Sequence, residues 1–175
     1  MENFKNFLEL VEKRKSIRSY KNIEVEKEKL DYIIEAFRKA PSAKNLQPWK
    51  LVIVNDKNII KDLVVACKNQ TFIGEAPIVI IACAKEDEAY GTMGGYLNSY
   101  PVDIGLAFEH IILAATEQGL GTCWIGAFYE EEVKKIIKAP KNVRVVALTP
   151  LGYPNEQGRQ RTRKSVEEIV SYNKY

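Results

Sequence analysis

The sequence has little of what many enzymes work with. It holds one histidine, His110, set beside Glu109 in an apolar stretch, so histidine-metal sites and hydrolytic triads lack a second member. A structural role is expected for it. The three cysteines, Cys67, Cys83 and Cys123, are odd in number, far apart and never spaced as Cys-x-x-Cys. That removes the zinc-ribbon and dithiol readings, and the apolar neighbours of Cys67 and Cys83 mark them as buried, inert thiols. No apolar run approaches bilayer length; the longest, Ile78 to Ala84, suits a strand. Repeats, low-complexity tracts and Pro/Gly-rich linkers are absent too, so residues 1–175 read as a single domain. The net charge of +3 is too small to imply a nucleic-acid partner. The first residues are acidic and amphipathic rather than basic and then apolar, which is not a secretory signal. A reducing cytoplasm is the expected compartment.

What is present suffices for a packed core. The chain is 46% hydrophobic and 28% charged, the balance of a globular domain that needs no disulfide or metal to fold. Phe4, Phe7, Leu8 and Val11 recur at helical spacing and predict a helix over residues 3–14. Leu30, Ile33, Ile34 and Phe37 predict a second, stopped by Ala40 ahead of Pro41. Leu51 to Val54 reads as a buried strand, Ile59 to Cys67 as a helix, and Ile78 to Cys83 as a central strand. After a polar loop rich in tyrosine and glycine, Val102 to Gln118 is apolar on most faces, which predicts a helix buried in a domain or a dimer, with Gly119 as its C-cap. Glu130 to Ile137 reads as a short helix and Val143 to Leu151 as a strand. Helices and strands mix without strict alternation, the pattern of an α+β domain with a mixed sheet covered by helices.

Four segments carry chemistry. In Arg14-Lys15-Ser16-Ile17-Arg18, an extended backbone would point Arg14, Ser16 and Arg18 to one side. Guanidinium groups match phosphate oxygens in pairs, so this is an anion grip, with a solvated turn as the alternative. The stretch Ala40 to Trp49 contains Pro41, Ser42, Ala43, Asn45 and Gln47. It is a stiff loop able to present donors and acceptors to a heterocycle, or a plain connection anchored in the core by Trp49. In Gly119-Leu120-Gly121-Thr122-Cys123-Trp124-Ile125-Gly126-Ala127-Phe128 the Gly-x-Gly follows a helix and lacks a third glycine, which excludes a dinucleotide fingerprint. Small Gly126 and Ala127 could still bring backbone N–H groups against a flat ligand. Arg161-Thr162-Arg163, after the last strand, is either a surface tail or the second half of a phosphate clamp.

In this order the four segments resemble the nitroreductase family of FMN-dependent oxidoreductases, from about Val11 to Ile169. The motifs are Arg-x-Ser-x-Arg, Pro-Ser-x-x-Asn-x-Gln-Pro-Trp, Asp103 heading the apolar helix, Gly-Leu-Gly-Thr-Cys-Trp-Ile-Gly, and the basic tail after Leu-Gly-Tyr-Pro. The resemblance implies a nitroreductase-like α+β fold with a mixed, mainly antiparallel central sheet flanked by helices. It also implies an interlocked homodimer with FMN at the interface. On that basis Arg14, Lys15 and Ser16 hold the phosphate and ribityl side, Arg161 and Arg163 hold the phosphate, and Arg18 lies near the pyrimidine edge. Pro41, Ser42, Ala43 and Asn45 reach the flavin from the second subunit, and Trp124, Ile125, Gly126 and Ala127 line it. The expected activity is ping-pong transfer of hydride from NADH or NADPH to a nitroaromatic, quinone or similar conjugated acceptor. Because the cofactor carries that chemistry, the absence of a catalytic acid, base or nucleophile is expected. Dehalogenation or flavin fragmentation on the same fold, and FMN storage or sensing with little turnover, are the alternatives.

One feature departs from the family pattern. The stretch between Cys83 and Asp103 is short, so the helical excursion that often covers the flavin is missing. The loop from Glu86 to Pro101 is the expected partial lid.

Overall fold

A computed structural model describes residues 4–175, so Asn3 of the expected first helix lies outside the described residues. Helix α1 spans Phe7–Lys13, started by the Asn6 side chain, which accepts the Glu9 N–H. Helix α2 covers Lys27–Arg38, strand β1 Trp49–Val54, helix α3 Lys57–Ala66 and strand β2 Ile78–Lys85. Helix α4 runs over Tyr100–Glu117, followed by strand β3 (Gly121–Thr122), helix α5 (Glu130–Ile136), strand β4 (Val143–Gly152) and a short helix α6 (Val166–Ile169). Single 3₁₀ turns occupy Ala43–Asn45, Thr71–Glu75 and Glu86–Glu88.

The four strands form one sheet in the order β1-β2-β4-β3, and every named pair is antiparallel. A parallel bridge joins Ser16 to Thr122. Between Ala82 and Cys83 the register with β4 slips, and Val146 is the extra residue of the bulge.

Alternation along β2 divides the core into two layers. Ile78, Ile80, Ala82 and Ala84 face α2 and α4, where Ile33, Phe37, Ile104, Phe108 and Ile111 pack. Val79, Ile81 and Cys83 face α3 and α5 with Leu63, Cys67, Val133 and Leu148. A strand covered on both faces reads as a continuous apolar run, which is what β2 shows. Trp49 sits at the edge of the first layer, its ring edge-on to Phe37 at 5.3 Å. His110 closes the same layer, its Nδ1 3.0 Å from the Ala36 carbonyl oxygen.

Helix α4 is the centre of the molecule. Pro101 falls in its first turn, where a missing N–H does no harm. The chain leaves it through Gly119, at φ +75°. Among the described residues no helix is long and apolar enough to cross a membrane.

Candidate functional site

After α1 the backbone extends and runs beside β3. Ile17 points inward and is buried, and its N–H bonds to the Thr122 carbonyl at 2.8 Å. Ser16 and Arg18 therefore face the other way, as alternation requires. The segment is fixed at its far end by Tyr20, whose hydroxyl donates to the Ile17 carbonyl at 2.7 Å. Burial pushes that phenol well above its usual range, so it stays a donor. Gly121 permits this approach, because a Cβ there would stand 2.9 Å from the Ile17 side chain.

The tail after β4 returns to the same segment. Lys21 donates its N–H to the Tyr153 carbonyl, Asn155 donates to the Ser19 carbonyl, and the Arg18 N–H reaches the Glu156 carboxylate at 2.5 Å. At Gly158 the chain turns with φ +68°, where a Cβ would lie 2.8 Å from the Lys15 Cβ. A side chain is excluded there on both grounds. Beyond that turn, residues 159–163 lie across from residues 14–18.

The result is a cleft of about 840 Å³, the size of a small-molecule site. Arg14, Lys15, Ser16, Arg18, Arg159, Gln160, Arg161 and Arg163 line it. Among its lining residues, with Lys13 included, seven are cationic and only Glu9 and Glu12 are acidic. Arg14, Lys15, Arg18, Arg159, Arg161 and Arg163 have no ion-pair partner among the described residues. Arg163 leans on the carbonyls of Arg161 and Thr162, and the Arg18 guanidinium sits 5.9 Å from the Phe72 ring centre. Like charges gathered with few carboxylates repel one another, and a bound anion relieves that repulsion.

The third segment continues from this cleft through the Ser16–Thr122 bridge. Cys123 is buried beside Ser16 and Arg18, and burial raises its thiol against the pull of the Arg18 charge. Trp124 is 41% exposed and stacks edge-on against Phe108 at 4.8 Å, while Gly126 and Ala127 are exposed. Ile125 is different. Its side chain belongs to the core beneath α3 and α5, and its N–H is bonded to the Leu148 carbonyl. It anchors the segment, leaving Trp124, Gly126 and Ala127 accessible.

Pro41, Ser42, Ala43 and Asn45 do not line the cleft. They form a tight loop at the N-terminal end of α4, where the Ala43 N–H bonds to Asp103 and the Gln47 N–H bonds to the Ser42 hydroxyl. No α-helix interrupts residues 86–99; a bridge between Met93 and Leu97 folds that stretch into a compact loop. Sequence reasoning passed over Gln160 as a lining residue and Glu156 as the group that ties the tail to Arg18. A glycine directly ahead of the basic run was the available signal for the turn. Among the described residues no cluster of three or more His, Cys, Asp or Glu side chains could hold a metal.

Comparison with known proteins sets this geometry in a family. The model of the nitroreductase family matches residues 11–83 and 64–153. The chain is 30% identical to the NADH dehydrogenase of Thermus thermophilus, over 90% of this chain and 91% of that protein. A nitroreductase family structure from Clostridium novyi aligns with a TM-score of 0.81 at 38% identity, covering 86% of each chain. The structure of an FMN-dependent nitroreductase from Clostridium difficile aligns with a TM-score of 0.83 at 29% identity, covering 97% of this chain and 100% of that one.

Proposed function

Because the chain belongs to the nitroreductase family, we propose that it is an FMN-dependent oxidoreductase moving hydride from NADH or NADPH to a nitroaromatic, quinone or similar small conjugated acceptor. One observation carries the reading: two basic segments at opposite ends of the chain meet in a single cleft with few carboxylates to balance them. The phosphate of FMN carries nearly two negative charges, and guanidinium pairs with a nearby hydroxyl are the donors that suit it.

Arg14, Lys15 and Ser16 hold the phosphate and ribityl side, and Arg161 and Arg163 close on the phosphate from the tail. Arg18 sets a fixed cation at the pyrimidine edge, which favours uptake of negative charge there. Trp124, Gly126 and Ala127 border the ring plane, positioned by the core anchor Ile125. When bound, FMN supplies the hydride chemistry itself. The chain's part is to bind, orient and limit access, and with one open face the donor leaves before the acceptor enters, giving ping-pong turnover.

A homodimer completes the site. Phe7 and Leu8 of α1 are 64% and 69% exposed, and Val102 and Leu106 of the adjoining α4 are also exposed. Exposed apolar side chains on two adjoining helices fit burial against a second copy of the chain. That copy would bring its own Pro41, Ser42, Ala43 and Asn45 to the flavin. The cytoplasm suits three buried free thiols.

The test is an absorbance spectrum of the purified protein, repeated without oxygen after excess NADH or NADPH. Flavin bands that bleach on addition support the reading. A colourless protein that takes up no added FMN overturns it.

A further inference from the structure

Two loops meet at one buried carboxylate. Asp103, in the first turn of α4 and 2% exposed, uses both oxygens. Its Oδ1 accepts the Ala43 N–H at 2.8 Å, and its Oδ2 accepts the Ser99 hydroxyl at 2.7 Å. Ser99 is fully buried and ties down the far side. Its Oγ accepts the Tyr90 N–H at 3.1 Å, and its own N–H donates to the Tyr90 carbonyl at 2.8 Å. Tyr90 and Ser99 bound residues 90–99 of the compact loop described above, so the Ser99 side chain and one backbone bond together hold its base. Next to Ala43, the Lys44 ammonium lies 4.4 Å from the centre of the Tyr90 ring, a second and direct contact between the loops.

The first loop is strained. Lys44, Asn45 and Gln47 have φ of +52°, +56° and +51°, conformations that residues with a side chain hold only when their surroundings impose them. The Ala43–Asp103 hydrogen bond tethers that loop to the helix end. A strained loop and a lid share one anchor, so the state of one bears on the other.

We propose that Asp103 and Ser99 are positioning residues that couple the loop of residues 42–47 to the loop of residues 90–99. Filling the flavin site then sets the acceptor lid. This rests on the flavin reading above, in which residues 42–45 touch the cofactor. Its consequence is that a formed acceptor pocket exists only on the loaded protein.

Hydrogen exchange on the full chain tests the coupling in two arms. In flavin-free protein, Asp103→Ala speeds amide exchange about tenfold in both loops, as loss of a charge-assisted hydrogen bond requires, with α3 unchanged. Ser99→Ala speeds residues 90–99 alone. In the second arm, FMN slows both loops of the wild type together. In Ser99→Ala it slows residues 42–47 and leaves 90–99 unprotected, and the acceptor KM rises about fivefold while kcat stays within twofold. The coupling is overturned if Asp103→Ala loosens one loop only, or if FMN protects residues 90–99 in Ser99→Ala as in the wild type. Failure of the flavin reading looks different: FMN alters exchange nowhere, and the first arm still decides the coupling.

Discussion

Gly158 offers the sharpest test of how the cleft is assembled. Its φ of +68° disfavours any residue with a Cβ, and such a Cβ would stand 2.8 Å from the Lys15 Cβ and 3.1 Å from the Ile17 Cδ1. The Lys15 Cβ is fixed to the backbone, and the Ile17 methyl belongs to a buried side chain, so neither gives way easily. In Gly158→Ala the left-handed backbone alone costs about 1–2 kcal/mol, and the contact adds to it. Residues 159–165 are almost wholly exposed, so the chain relieves the strain by letting the tail swing out rather than by unfolding. The strain is then met only when the tail closes on a ligand. At about 1.4 kcal/mol per tenfold, FMN should bind about five- to thirtyfold more weakly, read by quenching of flavin fluorescence on titration. The melting temperature of the flavin-free protein should barely move. Gly91→Ala is the control, since a Cβ there meets nothing within 4 Å. An FMN affinity for Gly158→Ala within twofold of the wild type would falsify the view that close approach of the tail builds the site.

Four further outcomes are expected. Arg161→Ala should weaken FMN binding about tenfold or more and flatten its dependence on salt, because a charge-assisted hydrogen bond is lost; an unchanged salt slope in the titration removes Arg161 from the phosphate site. Leu106→Glu puts a charge on a residue already 46% exposed, so the single chain should fold; sedimentation should report a monomer, and a dimer of wild-type affinity places the interface elsewhere. Two hydrogen bonds from Arg144 hold the Glu130 carboxyl below its usual range, so its stabilisation is present above about pH 4.3 and lost as pH falls through the lower folded value. Glu130→Gln should therefore melt about 2–4 °C lower at pH 7, for a pair worth roughly 1 kcal/mol, with the gap closing by about pH 3; a gap independent of pH refutes the ion pair as its source. Burial pushes the Cys67 and Cys83 thiols up to about 11, so they stabilise the fold below about pH 8.5 and that stability fades as pH rises toward 11. Disulfide-exchange titration at pH 8 should find both unreactive until denaturant is added.

The parts that sequence made legible are those where residue type alone sets the physics. Apolar spacing located α1 and α2, and an apolar run on most faces located α4, because residue type alone sets what a helix can bury. Its ends shifted where polar groups decide them: Asn6 delays α1 to Phe7, and the charged residues Lys27 to Lys29 extend α2 ahead of its first apolar position. Strand β3 escaped because it is two residues long, a glycine and one β-branched threonine, too short to read as a strand; it pairs with β4, which lies alongside. The same division runs through the site. Charge is written in the residue, so Arg14, Arg18, Arg161 and Arg163 stood out, but their meeting depends on a turn at Gly158 and on the reach of Glu156 to a backbone N–H. Asp103 marks the limit more sharply. Its partner at Ala43 is a backbone N–H, a group that every residue but proline carries, so nothing in the letters around position 43 points to it. Contacts from side chain to backbone across the fold, which join the loops here, are therefore the part of a site that sequence reading finds last.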